Sequence, residues 1–427
     1  MNEKIGNYRW TVVALLFFAT TINYLDRQVI GLLKPTLEAQ FSWSETDYSQ
    51  VVMAFSTAYA LGLLLFGRFI DIIGTKRGYI ISIIAWSIAA IAHAFAKSTG
   101  GFMAARAALG LGEAGNFPAA IKSVAEWFPK KERALATGIF NSGANIGAVV
   151  APIMVPWILG AYGWEEAFII TGAIGFIWLI FWIIFYEIPS KQRRLTQPEY
   201  DYIHSDDQSA SDLSTERVTW GKLFSIRQTW AFIFGKFLTD PIWWFFLFWL
   251  PSYFSTTFQI DLRKPSWELV IVYTATTIGS IGGGYLSSYF IKNGWEVFRA
   301  RKTAMFIFAL CVLPIMTAQF ATNVWVAVAL ISLAAAAHQA WSANIFTTAS
   351  DMFPKRAVSS VVGIGGMAGS VGGILFPLLV GYLLDYYKTA GNISIGYNII
   401  FLICGSAYLV AWLVMHFFTP RMERVNL

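Results

Sequence analysis

Cysteine is almost missing from this sequence: there are two in 427 residues, Cys311 and Cys404, both inside apolar runs. That excludes a disulfide-stapled secreted module, and the two thiols read as packing residues. Charge is scarce as well. Asp, Glu, Lys and Arg make up 13% of the chain, about half the share of an average soluble domain. A chain so poor in charge, with 17% aromatic residues, does not fit disorder. Its 35 glycines follow no triplet period, which excludes collagen-like order. No Walker loop, Gly-x-Ser-x-Gly turn or metal-ligand spacing occurs. These absences argue against an ATP-driven pump, a metal or other cofactor, and an enzyme of any kind.

What is abundant is apolar sequence, 56% of the residues. Crossing a bilayer as a helix takes about 20 apolar residues. Twelve such runs occur, over 10–33, 48–70, 78–97, 101–123, 134–160, 166–186, 229–254, 268–290, 303–320, 324–350, 357–385 and 395–418. Backbone amides in lipid find partners only within their own segment, so the runs are expected to be helices. The first is too long for a signal peptide, lacks a small-residue cleavage site and carries Asp26 and Arg27. The fold class is therefore an all-α membrane protein with twelve transmembrane helices. Lys and Arg set the orientation. Twenty-two of the 31 basic residues fall on the side of the termini and five opposite, among them Arg263 and Lys264. Both termini are expected in the cytoplasm. The net charge of +6 is mostly this topology signal, and no nucleic-acid partner is needed to explain it.

A polar stretch over 187–228 separates six runs from six. The expected organisation is a six-helix bundle over 1–186, a cytoplasmic linker over 187–228 and a second bundle over 229–427, the two being pseudo-symmetric around a central cavity. Two echoes support an internal repeat. Glu126-Trp127-Phe128-Pro129-Lys130 follows the fourth run, and Asp351-Met352-Phe353-Pro354-Lys355 follows the tenth. Gly67 to Arg77 follows the second, and Gly284 to Lys302 the eighth.

A charge inside a spanning helix costs about 2.5–3.5 kcal/mol on insertion scales, so each one present needs a reason. The first half holds Asp26 and Arg27, then Arg106 and Glu113 seven residues apart on one helix face. Arg27 and Arg106 lie at matching depth, which places Asp26 to pair with Arg106 and Glu113 nearer the midplane. An arginine grips an anion through charge-assisted hydrogen bonds, and a buried carboxylate takes a proton when its charge is uncompensated. The plainer reading is a structural ion pair between helices. In the second half, Lys236 and Asp240 stand four apart and can pair. Trp243, Trp244 and Trp249 follow, with faces suited to packing or to stacking on a sugar. His338, Gln339, Ser342 and Asn344 form a polar patch in the tenth run, Asn141 and Asn145 a second in the fifth, and Tyr59 and Ser370 are further candidates. The run Gly363 to Gly369 lies in an apolar span with no strand before it, so it reads as helix packing rather than dinucleotide binding.

Gly67 to Arg77 is similar to the loop signature of the major facilitator superfamily, Gly-x-Leu-x-Asp-Arg-x-Gly-Arg-Arg. Asp71, Gly74, Lys76 and Arg77 match, while Phe69 and Ile72 depart. Arg106 matches a fourth-helix arginine of the family. The resemblance covers essentially the whole chain. It implies a cytoplasmic clamp at Asp71 and Arg77, gating at Arg106, a monomer, and a place in the cell inner membrane. Asn23-Tyr24-Leu25-Asp26-Arg27, with Arg106 and Glu113, resembles the anion:cation symporters, which take up organic anions with protons and are driven by the proton gradient. The resemblance implies substrate contact at Arg27, Tyr24 and Tyr59 and proton coupling at Asp26 and Glu113. A glutamine lining the site in the galactonate carrier falls at Ala144, beside Asn145, which argues for a differently shaped polyol. Phe237 to Trp244 and His338 to Thr347 resemble bacterial hexuronate transporters. These imply glucuronate or galacturonate as substrate. Polar groups of the second half, including Asn344, His338 and Ser370, are expected to read its hydroxyls, and Asn141, Asn145 and Trp244 are further candidate contacts. The alternatives are another sugar acid or carboxylate, an organophosphate:phosphate antiporter, which typically has an arginine in each half, and a non-transporting sensor, which needs an output domain.

Overall fold

The computed structural model describes residues 5–43, 45–205, 218–248, 250–260, 267–421 and 423–425. Trp249, Arg217, Arg263 and Lys264 lie outside them. Every element among the described residues is helical. The first half comprises α1 (Tyr8–Phe41), α2 (Glu45–Ile73), α3 (Thr75–Ala92), α4 (Thr99–Glu113), α5 (Asn116–Trp127), α6 (Lys130–Ala161) and α7 (Trp164–Phe185). Two short helices follow, α8 (Gln197–Ile203) and α9 (Trp220–Phe224). The second half comprises α10 (Arg227–Phe248), α11 (Leu250–Phe258), α12 (Trp267–Lys292), α13 (Val297–Val312), α14 (Val324–Met352), α15 (Val358–Thr389) and α16 (Ile393–Phe418).

These helices overlie the twelve apolar runs. Nine membrane-length helical stretches among the described residues are long and apolar enough to cross a bilayer. The three runs outside that set are α1, the α4–α5 pair and α10, and these carry Asp26, Arg27, Arg106, Glu113, Lys122, Lys236 and Asp240. The membrane-buried charge is thus concentrated on three of the twelve runs. The fourth run is not one helix: α4 ends at Glu113, two turn residues follow, and α5 resumes at Asn116. The Ser82 hydroxyl donates to the Gly112 carbonyl at this break, 2.6 Å away, supplying a partner for backbone that a helix end leaves open.

Both sequence echoes have structural counterparts. α5 and α14 end alike, at Trp127 and Met352, each capped by an extended phenylalanine followed by proline. The α2–α3 and α12–α13 connections both turn at a glycine in the left-handed region, Gly74 at φ +89° and Gly294 at φ +86°, where a side chain would be strained.

Within the first half α1 packs on α6, α2 on α4 and α3 on α7; within the second, α10 packs on α15 and α16, and α12 on α14. The halves meet along two seams, α2 against α15 and α6 against α12. Both seams rest on glycine. A Cβ on Gly363 would lie 2.2 Å from the Leu63 carbonyl oxygen, and one on Gly284 2.1 Å from that of Ala134. Helix backbones approach this closely only across residues without side chains, which accounts for the glycine-rich run in α15.

The polar stretch expected as a linker is partly built into the first half. Glu199 of α8 accepts hydrogen bonds from the backbone N–H groups of Tyr8 and Arg9, both at 3.0 Å, so its carboxylate caps the start of α1. The Arg9 guanidinium bridges Glu199 and Glu132 at 3.1 and 2.9 Å.

Candidate substrate site

Arg27 projects from the middle of α1 toward α4. Its Nε and Nη2 both donate to Oε2 of Glu113, at 3.0 and 2.8 Å. Nη2 also reaches Asn23 Oδ1 at 3.4 Å. Three rings surround the guanidinium, with Tyr24, Tyr59 and Phe55 centroids 4.7, 4.6 and 5.0 Å away. Their electron-rich faces stabilise a cation where water is excluded. Glu113 is fully buried, and its other oxygen, Oε1, has no hydrogen-bond partner among the described residues.

The pair expected between Asp26 and Arg106 does not form. Neighbours on a helix point about 100° apart, so when Arg27 faces α4, Asp26 turns into the first bundle. There it is buried near Thr171 of α7, and both its carboxylate oxygens lack hydrogen-bond partners among the described residues. Arg106 lies over the Phe55 ring at 4.5 Å, its Nε and Nη1 unpartnered among the described residues. Matching depth along two helices does not determine their rotation, and rotation selects Arg27 as the partner of Glu113.

Across the cavity, Lys236 and Asp240 of α10 form the expected pair, Nζ to Oδ2 at 2.8 Å. The ammonium also sits over the Phe346 ring at 4.0 Å. Trp243 stacks on His338 with ring centroids 5.3 Å apart and planes 1° from parallel, and His338 Nδ1 is hydrogen-bonded to the Tyr408 hydroxyl. Tyr24, Arg27, Tyr59, Asn141, Trp244, His338 and Ser370, all expected site residues, line one 90 Å³ cavity between the halves. Lys236, Asp240, Gln339 and Ser342 line it too. Asn145 and Arg106 belong instead to an adjoining 660 Å³ cavity that shares Tyr24, Arg27, Trp243 and Trp244 and extends toward the end opposite the termini. Asn344 departs from expectation: its amide donates to the carbonyls of Gly283 and Ala340, both at 2.9 Å, so it ties α14 to α12 and does not line the cavity. Asn141 donates to Gln339 at 2.9 Å and to Ser280 at 3.1 Å, joining the halves below the site.

At the end bearing the termini the halves are clamped. Asp71 accepts from Lys122 Nζ at 2.7 Å and from the backbone N–H groups of Ser360 and Ser359 at 2.7 and 3.3 Å. It thereby caps α15 from the opposite half, where unpaired N–H groups and the helix dipole favour an anion. Arg133 of α6 donates to Asp351 at 3.1 Å and to the Ser350 carbonyl at 2.8 Å, and Arg301 holds the other oxygen of Asp351 at 3.1 Å. Arg77, expected in the clamp with Asp71, is exposed and takes part in no ion pair among the described residues. Lys122 and Arg133 do that work. Lys122 is one of the four basic residues that belong to neither side of the membrane, a visible signal, but Arg133 is indistinguishable in sequence from a topology-setting loop residue.

Twelve helical crossings in two halves, with paired charges around a cavity sealed at one end, define a membrane transport fold. Residues 16–377 and 296–427 match the model of the Major Facilitator Superfamily, and the chain belongs to that family. It is 36% identical over 386 residues to the "Hexuronate transporter" of Escherichia coli K12, covering 90% of this chain and 89% of the relative. It is 33% identical over 334 residues to the "Galacturonate transporter" of Dickeya chrysanthemi, covering 78% and 97%. Among solved structures, the proton:xylose symporter XylE superposes with a TM-score of 0.77 at 15% identity over 98% of both chains, which is a likeness of fold.

Proposed function

We propose that this transporter imports a hexuronate, glucuronate or galacturonate, together with protons, by alternating access of the two halves. The observation that carries the reading is the Arg27–Glu113 pair facing an aromatic-walled cavity. A sugar carboxylate is the chemical equivalent of the Glu113 carboxylate. When it docks on Arg27 in a bidentate geometry, Glu113 loses its counter-charge, and a buried carboxylate without one binds a proton. Substrate and proton are thereby taken up together. Asp26, buried without a hydrogen-bond partner among the described residues, is the second proton-linked acid of this scheme. With the termini in the cytoplasm of the inner membrane, as the basic residues argue, the larger cavity faces outward and the Asp71 and Asp351 clamps hold the cytoplasmic side shut. The relatives named for hexuronate and galacturonate transport support the substrate class.

The test is uptake of labelled galacturonate and glucuronate into proteoliposomes, with and without an inward proton gradient. The reading requires accumulation that a protonophore collapses. Folded, correctly inserted protein that transports neither sugar acid overturns the substrate, and accumulation indifferent to the protonophore overturns the coupling.

A further inference from the structure

Lys236 and Asp240 are more than a neutral pair. The pair is built at the cost of local space: a Cβ on Gly369 of α15 would sit 2.1 Å from Asp240 Oδ2. The backbone of α15 is thus pressed against the carboxylate and holds it toward the cavity. The Lys236 side chain is 5% exposed and the Asp240 side chain 21%, so the acid is the partner that the cavity reaches. Lys236 engages Oδ2 of the carboxylate at 2.8 Å, and Asp240 itself lines the cavity. The ammonium, fixed by one carboxylate oxygen and one aromatic face, keeps further N–H donors available. An acceptor and a cationic donor therefore stand side by side on one wall. Trp243 and Trp244 follow on the same helix and also line the cavity. A Cβ on Gly373 would lie 2.3 Å from Trp244 Nε1, so that indole packs directly on the α15 backbone.

Two neighbouring hydroxyls on a sugar ring are themselves at hydrogen-bonding separation. One donates to a carboxylate oxygen and the other accepts from an ammonium, and the ring's C–H face packs on an indole. We infer that Lys236 and Asp240 form a carbohydrate subsite that binds a vicinal diol of a pyranose ring while Arg27 holds the ring's carboxylate from the opposite half. This rests on the hexuronate reading and narrows it to the cyclic form of the sugar acid. It also gives the substrate two anchors on different halves, α1 for the charge and α10 for the diol.

The experiment measures ligand-induced thermal stabilisation of purified protein, titrated with D-galacturonate and with tetrahydropyran-2-carboxylate, which keeps the ring and carboxylate but has no hydroxyls. Wild-type protein is expected to prefer galacturonate by roughly a hundredfold or more, because a site built for hydroxyls is left unpaired by an analogue without them. Asp240→Asn is expected to bring the two affinities within about tenfold of each other by weakening galacturonate alone. The double variant K236M/D240L, which leaves no unpaired charge, is expected to do the same, and it covers the case in which the single variant does not fold. Retention of the wild-type preference by either folded variant overturns the subsite, as does an equal loss of both ligands. Wild-type protein that fails to bind galacturonate overturns the hexuronate reading itself, a result distinct from either.

Discussion

Arg27 and Glu113 are joined through a single carboxylate oxygen: both guanidinium donors converge on Oε2, while Oε1 is buried without a hydrogen bond among the described residues. An arginine and a carboxylate at their strongest share two oxygens through parallel bonds. The pair as built falls short of that, so an incoming carboxylate able to offer both oxygens competes with Glu113 on favourable terms.

Glu113→Gln keeps the shape of the pair and removes its titration. Proton-driven accumulation is expected to fall to simple equilibration, while exchange of labelled for unlabelled substrate persists within about tenfold of wild type, since general acid–base groups commonly contribute more than that to a step that needs their proton. Counterflow and gradient-driven uptake, measured on the same vesicles, separate the two.

Arg27→Lys keeps the charge but loses the planar fork and the ring contacts. Affinity for the anion is expected to drop about ten- to a hundredfold, equivalent to ~1.4–2.8 kcal/mol. The loss should be read as a concentration shift in substrate-dependent uptake, with unchanged thermal stability excluding a folding effect.

Asp26→Asn distinguishes the geometry seen here from an ion pair with Arg106. Asp26 has no salt-bridge partner among the described residues, so the substitution strands no cation. Stability is expected to hold or to rise, since a buried charge without a partner is costly, whereas breaking a buried pair costs about 3–5 kcal/mol. Melting of the purified variant decides it.

Asp351→Asn removes the only carboxylate between Arg133 and Arg301 among the described residues and is expected to cost about 3–5 kcal/mol through the uncompensated cations. Asp71→Asn likewise leaves the buried Lys122 ammonium without its counter-charge and is expected to cost a comparable amount, about 3–5 kcal/mol. It is expected to shift the resting population toward an opening at the end bearing the termini, measured as a longer distance between spin labels on Arg77 and Arg299, both exposed there.

The membrane-spanning helices were legible because lipid forbids unpaired backbone, so apolar length alone marks them. The charges were legible because each is costly in that setting. Helix rotation was not, since a one-dimensional pattern rich in apolar residues on all faces leaves the facing direction open. That is why Asp26 was matched with Arg106, and why Asn344, four residues from its Ala340 acceptor, was assigned to substrate instead of to Gly283. The break after Glu113 escaped notice for a similar reason: Ala114 and Gly115 fit an apolar helix, and the Ser82 hydroxyl that supports the break comes from another one. Arg133 and Arg301 looked like basic loop residues because the repeat that brings Asp351 between them acts only in three dimensions.

The glycine seams have one more consequence. Along α2 against α15 and α6 against α12, backbone touches backbone with no interlocking side chains at the closest points. Knobs seated in holes must be lifted out before two helices change tilt, but smooth rails need only roll. The seams therefore resemble bearings, and what ties the halves together is polar: the Asn141 bonds to Ser280 and Gln339 beside the site and the Asp71 and Asp351 latches at the end bearing the termini.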